Sequence, residues 1–350
     1  MKKFGMCIAV LFLTVASLFG ISKNADKTLA LINGEPLFGS EFYTLFDPIL
    51  EEYTQNVPAS EQTKQKENEL KDAILNQKIS EIILNQEVKK QKIKVSKKEI
   101  QEGIDEIKKN FSNESDFQEF LKKNNMSISA LEKNVIKQIS IKKLLKQNIE
   151  NKIKMPTETE ARDLYDKATA KVKGTKINLS AEEDFIVSNL AAALKRLSSE
   201  QVRLRQIFIS LPKGASEDAV RAAKAKIAKV KQELQRQTFA DVAGQYSEDP
   251  TTKSRNGDIG ILTKGDIPIE SLNKAAFSLK VGTFTKEPIK TDLGYFFLKV
   301  EEKRAKRDIT FEEIKNDILE FLSHINANTA QNEYIEGLKA KSVIKINKDW

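Results

Sequence analysis

The chain has 350 residues, 40% of them hydrophobic and 31% charged, with a formal charge of +8. That length holds two or three domains, and the balance fits a soluble globular protein rich in exposed helix. The only cysteine is Cys7, so beyond residue 22 a disulfide, thiol chemistry and a cysteine-based zinc site are all excluded. The basic surplus suits nucleic acid, anionic lipid or acidic polypeptides, or is simply a lysine-rich solvated surface.

Lys2 and Lys3 precede an almost wholly apolar run, Phe4 to Phe19, and then the small residues Gly20 and Ser22. This is the layout of a secretory signal peptide cleaved near residue 22, and export argues against nucleic acid. The rival reading is an uncleaved membrane anchor. Cys7 lies too close to the start to follow a lipoprotein signal.

Leu29 to Phe46 then reads as an apolar run, an Asn33-Gly34 turn and a helix initiated at Ser40. Residues 66–95 are helical by period, with Leu70, Ala73, Ile74, Gln77, Ile82 and Ile83 along one face. Ser/Thr-x-x-Glu boxes predict helix starts at Ser96–Glu99, Ser129–Glu132, Thr157–Glu160, Ser180–Glu183 and Thr310–Glu313. Leu131, Val135, Ile136, Ile139, Leu144, Leu145 and Ile149 repeat at helical spacing. Such stripes serve as core or as lining for a groove that takes unfolded chains, and periodicity does not separate the two. Residues 167–181 lose periodicity and read as a linker. Asp308 to Asn347 reads as a last long helix followed by the short apolar run VIKIN.

Between these helical parts lie VRLRQIFI (Val202–Ile209), FADVAGQYSEDP (Phe239–Pro250), NGDIGIL (Asn256–Leu262), AAFSLKVGTF (Ala275–Phe284) and TDLGYFFLKV (Thr291–Val300). In order and spacing they resemble the parvulin-type prolyl isomerases. The opening Leu29–Phe46 and the QKIKVSKKEI stretch (Gln91–Ile100) resemble the chaperone domain of the SurA/PrsA foldases. The resemblance implies an α+β protein. Both chain ends would form a helical chaperone domain of the SurA N-terminal kind, with a parvulin-like domain, a four-stranded antiparallel sheet plus helices, inserted between them. The boundaries that follow are a signal peptide at 1–22, the helical domain at 26–170, a linker or helix at 171–200, the isomerase-like domain at 201–305 and the completing C-terminal part at 306–350.

The resemblance also locates a site. The acid after the SE dipeptide is Asp249. Gln206 stands where the family's first strand usually carries a histidine, and Phe296 where the last strand does. Ile267 and Leu272 occupy the places of the usual Met and Phe of the proline-ring pocket, beside Phe277. Asp249 and Gln206 are thus the expected catalytic pair, and Ile267, Leu272, Phe277 and Phe296 the expected proline pocket. Glutamine donates and accepts but does not titrate, and phenylalanine does neither. Rotating an X-Pro amide needs an apolar socket and polar groups suited to the twisted carbonyl, with no nucleophile, metal or cofactor. The lone His324 falls on the final helix and is assigned no role. Phosphate-loop, zinc-protease and serine-hydrolase motifs are absent from the sequence, so ATP-driven chaperoning and hydrolysis are not supported.

The leading expectation is an exported bacterial folding factor, periplasmic or in the cell envelope, that works without ATP. It would bind unfolded or extended polypeptides, X-Pro segments among them, with weak or absent isomerisation. A fully competent isomerase and a non-catalytic envelope scaffold are the alternatives. Loose membrane association, and monomer against homodimer, stay open.

Overall fold

The computed structural model describes residues 27–124 and 126–347. The expected signal peptide and Cys7 lie outside these residues. Among the described residues no helix is long and apolar enough to cross a membrane. The described residues divide into two units, one formed by 27–157 with 319–347 and the other by 158–318.

In the first unit, β1 (Thr28–Ile32) and β2 (Glu35–Phe38) form an antiparallel hairpin. Its turn is Asn33-Gly34, both with positive φ, 51° and 87°. A two-residue hairpin turn whose twist matches its strands requires this conformation, which Asn and Gly tolerate best. The other edge of β1 pairs with β7 (Ile344–Ile346) from the far end of the chain, giving the order β2-β1-β7. Asn33 fastens this closure: its Oδ1 accepts from the Val343 N–H at 2.7 Å, and its Nδ2 donates to Gln86 at 2.8 Å. Both ends of the chain therefore build one domain, as expected.

Helices α1 (Gly39–Asn56), α2 (Lys64–Lys90), α3 (Lys97–Lys108), α4 (Glu114–Lys123) and α5 (Ile128–Ile149) follow. α1 starts one residue before the expected Ser40. Phe38 holds the N-cap position, and the Glu41 carboxylate reaches back to its N–H at 3.3 Å. The Ser96–Glu99 box forms as expected. The cap of α5 is Ser127 rather than Ser129. Leu29, Ile32, Leu37, Phe42, Phe46, Ile74, Ile79 and Ile83 make one core. Ile104, Phe117, Leu121, Leu131 and Val135 make another between α3, α4 and α5. The longest helix, α11 (Phe311–Lys339), begins in the second unit and continues in the first, where Ala330 and Leu338 join Leu84, Leu144 and Leu145.

The second unit opens with α6 (Glu158–Val172) and α7 (Ala181–Ser198), the latter capped by the Ser180–Glu183 box. The expected boundary at 170 attached α6 to the N-terminal helices. Instead α6 packs on α7 through a face with buried Ala161, Leu164 and Ala168, and Tyr165 donates its hydroxyl to the Ile309 carbonyl at 2.6 Å. Most of the expected linker is helix α7. Then come β3 (Gln201–Ser210), α8 (Glu217–Glu233), α9 (Phe239–Tyr246), β4 (Asp258–Thr263), α10 (Glu270–Ser278), β5 (Ile289–Lys290) and β6 (Gly294–Arg304). The strands form an antiparallel four-stranded sheet in the order β4-β3-β6-β5.

Strand residues alternate between faces, so the sheet carries two cores. Ile207, Ile209 and Phe297 pack with Val230 of α8 and Phe239 and Val242 of α9. Val202, Leu204, Phe296, Leu298 and Val300 pack on the other side with Leu272 and Ala276 of α10.

Candidate functional site

Gln206 lies on β3 between Leu204 and Phe208, opposite Leu298 of β6. These three neighbours belong to the α10-side core, so the period of the strand puts Gln206 on that face. Its amide Nε2 donates to Asp249 Oδ2 at 2.7 Å. The two residues expected to act together are thus in direct contact, from positions far apart in the chain.

Asp249 is held in a loop that follows α9. The Phe208 N–H donates to Ser247 Oγ at 3.1 Å, and the Glu248 N–H donates to the Phe208 carbonyl at 2.7 Å. Glu248 in turn accepts from the Ser210 N–H at 2.8 Å and pairs with Lys226. The Thr251 N–H donates to Asp249 Oδ1 at 3.1 Å, and the Thr252 hydroxyl donates to Oδ2. The far side of the loop returns at Gly257, whose carbonyl accepts from the Gln206 N–H at 2.8 Å. Gly257 has φ +78°, and a Cβ there would meet the Gln206 carbonyl oxygen at 2.3 Å. Only glycine lets the loop pass this close to the strand.

Burial pushes the Asp249 carboxyl up, but hydrogen bonds from the Thr252 hydroxyl, the Thr251 N–H and the Gln206 amide outweigh it and hold the group below the usual carboxylate range. The carboxylate is therefore ionised near neutral pH, and its donors carry no titrating proton.

The four expected pocket residues share one apolar cluster on the same face of the sheet. Leu272 and Phe296 are buried within it, and Ile267 and Phe277 are half-buried against it. Phe296 lies opposite Phe208 across the β3–β6 ladder, with ring centroids 4.6 Å apart and planes at 32°. The place expected of a family histidine is thus filled by a ring that completes an aromatic pair. Ser247, Thr252 and Phe208 escaped the sequence reading. Phe208 was within reach of strand alternation, two residues from Gln206. The hydroxyls were not, because Ser and Thr in a turn are too common to single out.

Comparison with known proteins decides the family. Residues 1–145 match the SurA-like N-terminal domain, and residues 207–302 match the PPIC-type PPIase domain. The chain belongs to the SurA/PrsA family of parvulin-type foldases. The foldase protein PrsA of Caldanaerobacter subterraneus subsp. tengcongensis is 25% identical over 356 residues, covering 99% of this chain and 96% of that protein. PrsA of Bacillus subtilis is 36% identical over 108 residues, 31% of this chain and 36% of that one. A solved structure from Campylobacter jejuni, described as one of two related SurA-like chaperones, is 14% identical and covers 92% of this foldase and 99% of its own chain, with a TM-score of 0.40. The first matched region of this foldase ends within α5, and the second begins within β3 and ends within β6. The first takes in the β1–β2 hairpin and most of the run from α1 to α5, and the second spans Ile207 to Glu302 of the sheet unit.

Proposed function

We propose that this foldase binds extended segments of unfolded envelope or secreted polypeptides, X-Pro segments among them, and that its isomerase unit turns over weakly or serves only as a binding surface. The observation that carries this reading is the Gln206–Asp249 contact beside the Phe208–Phe296 pair. A fixed carboxylate bound by Gln206, on the sheet face whose apolar cluster includes half-buried Ile267 and Phe277, would offer a polar rim and an apolar wall to a proline segment. An X-Pro amide interconverts over a barrier of about 18–20 kcal/mol. The catalyst has only to favour the twisted amide, and the site supplies an apolar wall but no imidazole.

The helical unit would hold clients through moderate, quickly released apolar contacts, which need no nucleotide. The apolar start of the sequence and the names of the relatives support an exported protein of the periplasm or cell envelope. In this reading the partners are polypeptides rather than nucleic acid, no cofactor is used, and membrane association is at most loose, for a monomer or a homodimer.

Exchange spectroscopy on a panel of proline tetrapeptides tests the catalytic half. Acceleration of cis–trans exchange that is lost in Asp249→Ala would make the site a competent isomerase without histidines. Peptide binding without acceleration, together with suppressed aggregation of an unfolded client, is the expected result. Neither binding nor suppression would leave a scaffold protein and overturn the proposal.

A further inference from the structure

Thr252 is nearly inaccessible, at 4% exposure, in the loop that carries Asp249. Its side chain points inward, although the neighbouring Thr251 and Lys253 are exposed. Its hydroxyl donates to the same carboxylate oxygen, Oδ2, that accepts the Gln206 amide. Its backbone carbonyl accepts from the Gly257 N–H at 2.8 Å, closing the loop over the strand. One buried residue thus sets both the loop's closure and the orientation of the acid. A hydroxyl donates without titrating in the working range, and so does a carboxamide.

The charged groups on the elements around this loop are engaged elsewhere. Glu248 is taken by Lys226 of α8 and the Ser210 N–H of β3. Asp258 of β4 is taken by Arg203 and Arg205 of β3. Arg205 also donates to the Arg255 and Asn256 carbonyls, Arg255 reaches the Thr251 carbonyl at 3.5 Å, and the charge of Lys253 acts on Glu248. The unit 158–318 contains no histidine at all. No group there has an ordinary pKa between those of a carboxylic acid and a lysine or tyrosine.

We propose that Thr252 is a positioning residue of the isomerase-like site, which together with Gln206 makes that site insensitive to pH across the range in which an imidazole would change charge. The inference rests on the foldase reading above for the ligand, an X-Pro peptide, but not for the carboxylate network itself. Thr252 orients Asp249 and does not touch the peptide. An exported protein meets outside conditions directly, and a site of this kind keeps its charge through them.

The test has two readouts on the full chain. Carbon-13 NMR of the labelled aspartate carboxyls follows the titration of Asp249, assigned by its loss in Asp249→Asn. In parallel, binding of an uncharged, end-capped X-Pro tetrapeptide and its exchange rate are measured between about pH 4 and pH 8, a window that brackets imidazole titration. The unaltered foldase should show Asp249 titrating below the usual carboxylate range and a flat binding profile above about pH 5. Thr252→Val, which keeps the shape and removes the donor, should raise the titration point by about one pH unit and move the acidic limb of binding up with it. Thr252→Ser should restore both. If Thr252→Val perturbs the fold, Gln206→Met, which removes the other donor on Oδ2, should produce the same upward shift.

An unchanged titration point in Thr252→Val, or a binding profile that bends between pH 6 and 7 in the unaltered protein, would overturn the proposal. Exchange without acceleration at every pH is what the foldase reading already expects, and absent peptide binding would count against that reading alone, because the carboxyl titration still decides the role of Thr252.

Discussion

The two faces of the four-stranded sheet are built from the same strands to different ends. On the α8–α9 side, Ile207, Ile209, Val230, Val242 and Phe297 are fully buried. On the α10 side Val202, Leu204, Ala276 and Val300 are buried as deeply, and the difference lies around Gln206. Leu272 and Phe296 keep a trace of exposure, Phe208, Ile267 and Phe277 are only half-buried, and Gln206 interrupts the apolar series. Both faces hold the unit together, and the α10 face in addition carries the fixed carboxylate's partner, Gln206, among half-buried apolar side chains. The difference arises within a single strand, since successive residues of β3 serve opposite faces.

The largest effect expected from this contrast is on stability. Phe297→Ala removes a fully buried ring from the α8–α9 face and should cost about 3–5 kcal/mol. Phe296→Ala, one residue away, should cost less, since part of its environment is open. Urea unfolding followed by circular dichroism measures both. Equal losses would mean that the two rings are equally packed.

Gly257→Ala should act next in size. Its positive φ implies about 1–3 kcal/mol of backbone strain for a side-chain-bearing residue, and its Cβ would collide with the Gln206 carbonyl. The collision displaces the strand at the residue that holds Asp249. Peptide binding should therefore fall more than stability alone predicts, which titration at a temperature well below the unfolding transition would reveal. Binding that survives intact would detach the site from the close passage of the loop.

Much of this was legible beforehand, and the exceptions have physical causes. The Asn33-Gly34 turn and the Ser96–Glu99 and Ser180–Glu183 boxes are local devices, complete within four residues, and they form as written. The start of α5 shifted from Ser129 to Ser127 because two serines compete for one cap, and the hydroxyl of the earlier reaches the Ala130 N–H at 3.1 Å. The assignment of α6 depends on which helix it packs against, and periodicity does not contain that information. At the site, Asp249 and Gln206 were visible through family spacing. Thr252 was not, because its role is set by an inward turn of the loop that no run of neighbouring residues encodes.

Restoring an imidazole sharpens the comparison between this site and its family. Phe296→His puts a polar ring into the cluster beside Phe208, at a cost of about 1–3 kcal/mol if the ring finds no partner. Burial lowers the pKa of such a histidine below its ordinary value near 6.5. The unfolded chain then binds more protons than the native one. The stability loss should therefore grow as pH falls through about 6.5 and level off below the folded pKa. Urea midpoints at pH 8 and pH 5 would show it. A midpoint difference matching that of the unaltered chain would place the introduced ring in contact with water.

The smallest effect lies in a feature that the two units share. Glu99 in the first unit and Glu313 at the start of α11 are both lowered to about 2. For Glu99 the cause is first the Lys143 ammonium and then the Ser96 N–H and hydroxyl. For Glu313 it is first the Thr310 N–H and then Arg307 and the Thr310 hydroxyl. Both pKa values are depressed by folding. Each contribution is thus fully present above the unfolded value near 4.3 and is lost as pH falls through about 2. Glu99→Gln keeps an acceptor for the Ser96 N–H but leaves Lys143 without its carboxylate, so the acid dependence of the first unit should flatten within that window and nowhere else. Glu313 is exposed and Glu99 half-exposed, so added salt should blunt the Lys143 part and spare the cap. Urea midpoints at pH 5 and pH 3, with and without salt, separate the two. A Glu99→Gln profile that still falls as steeply as that of the unaltered chain would move the acid sensitivity to less exposed groups such as the half-buried Glu81, held between Lys78 and Lys137.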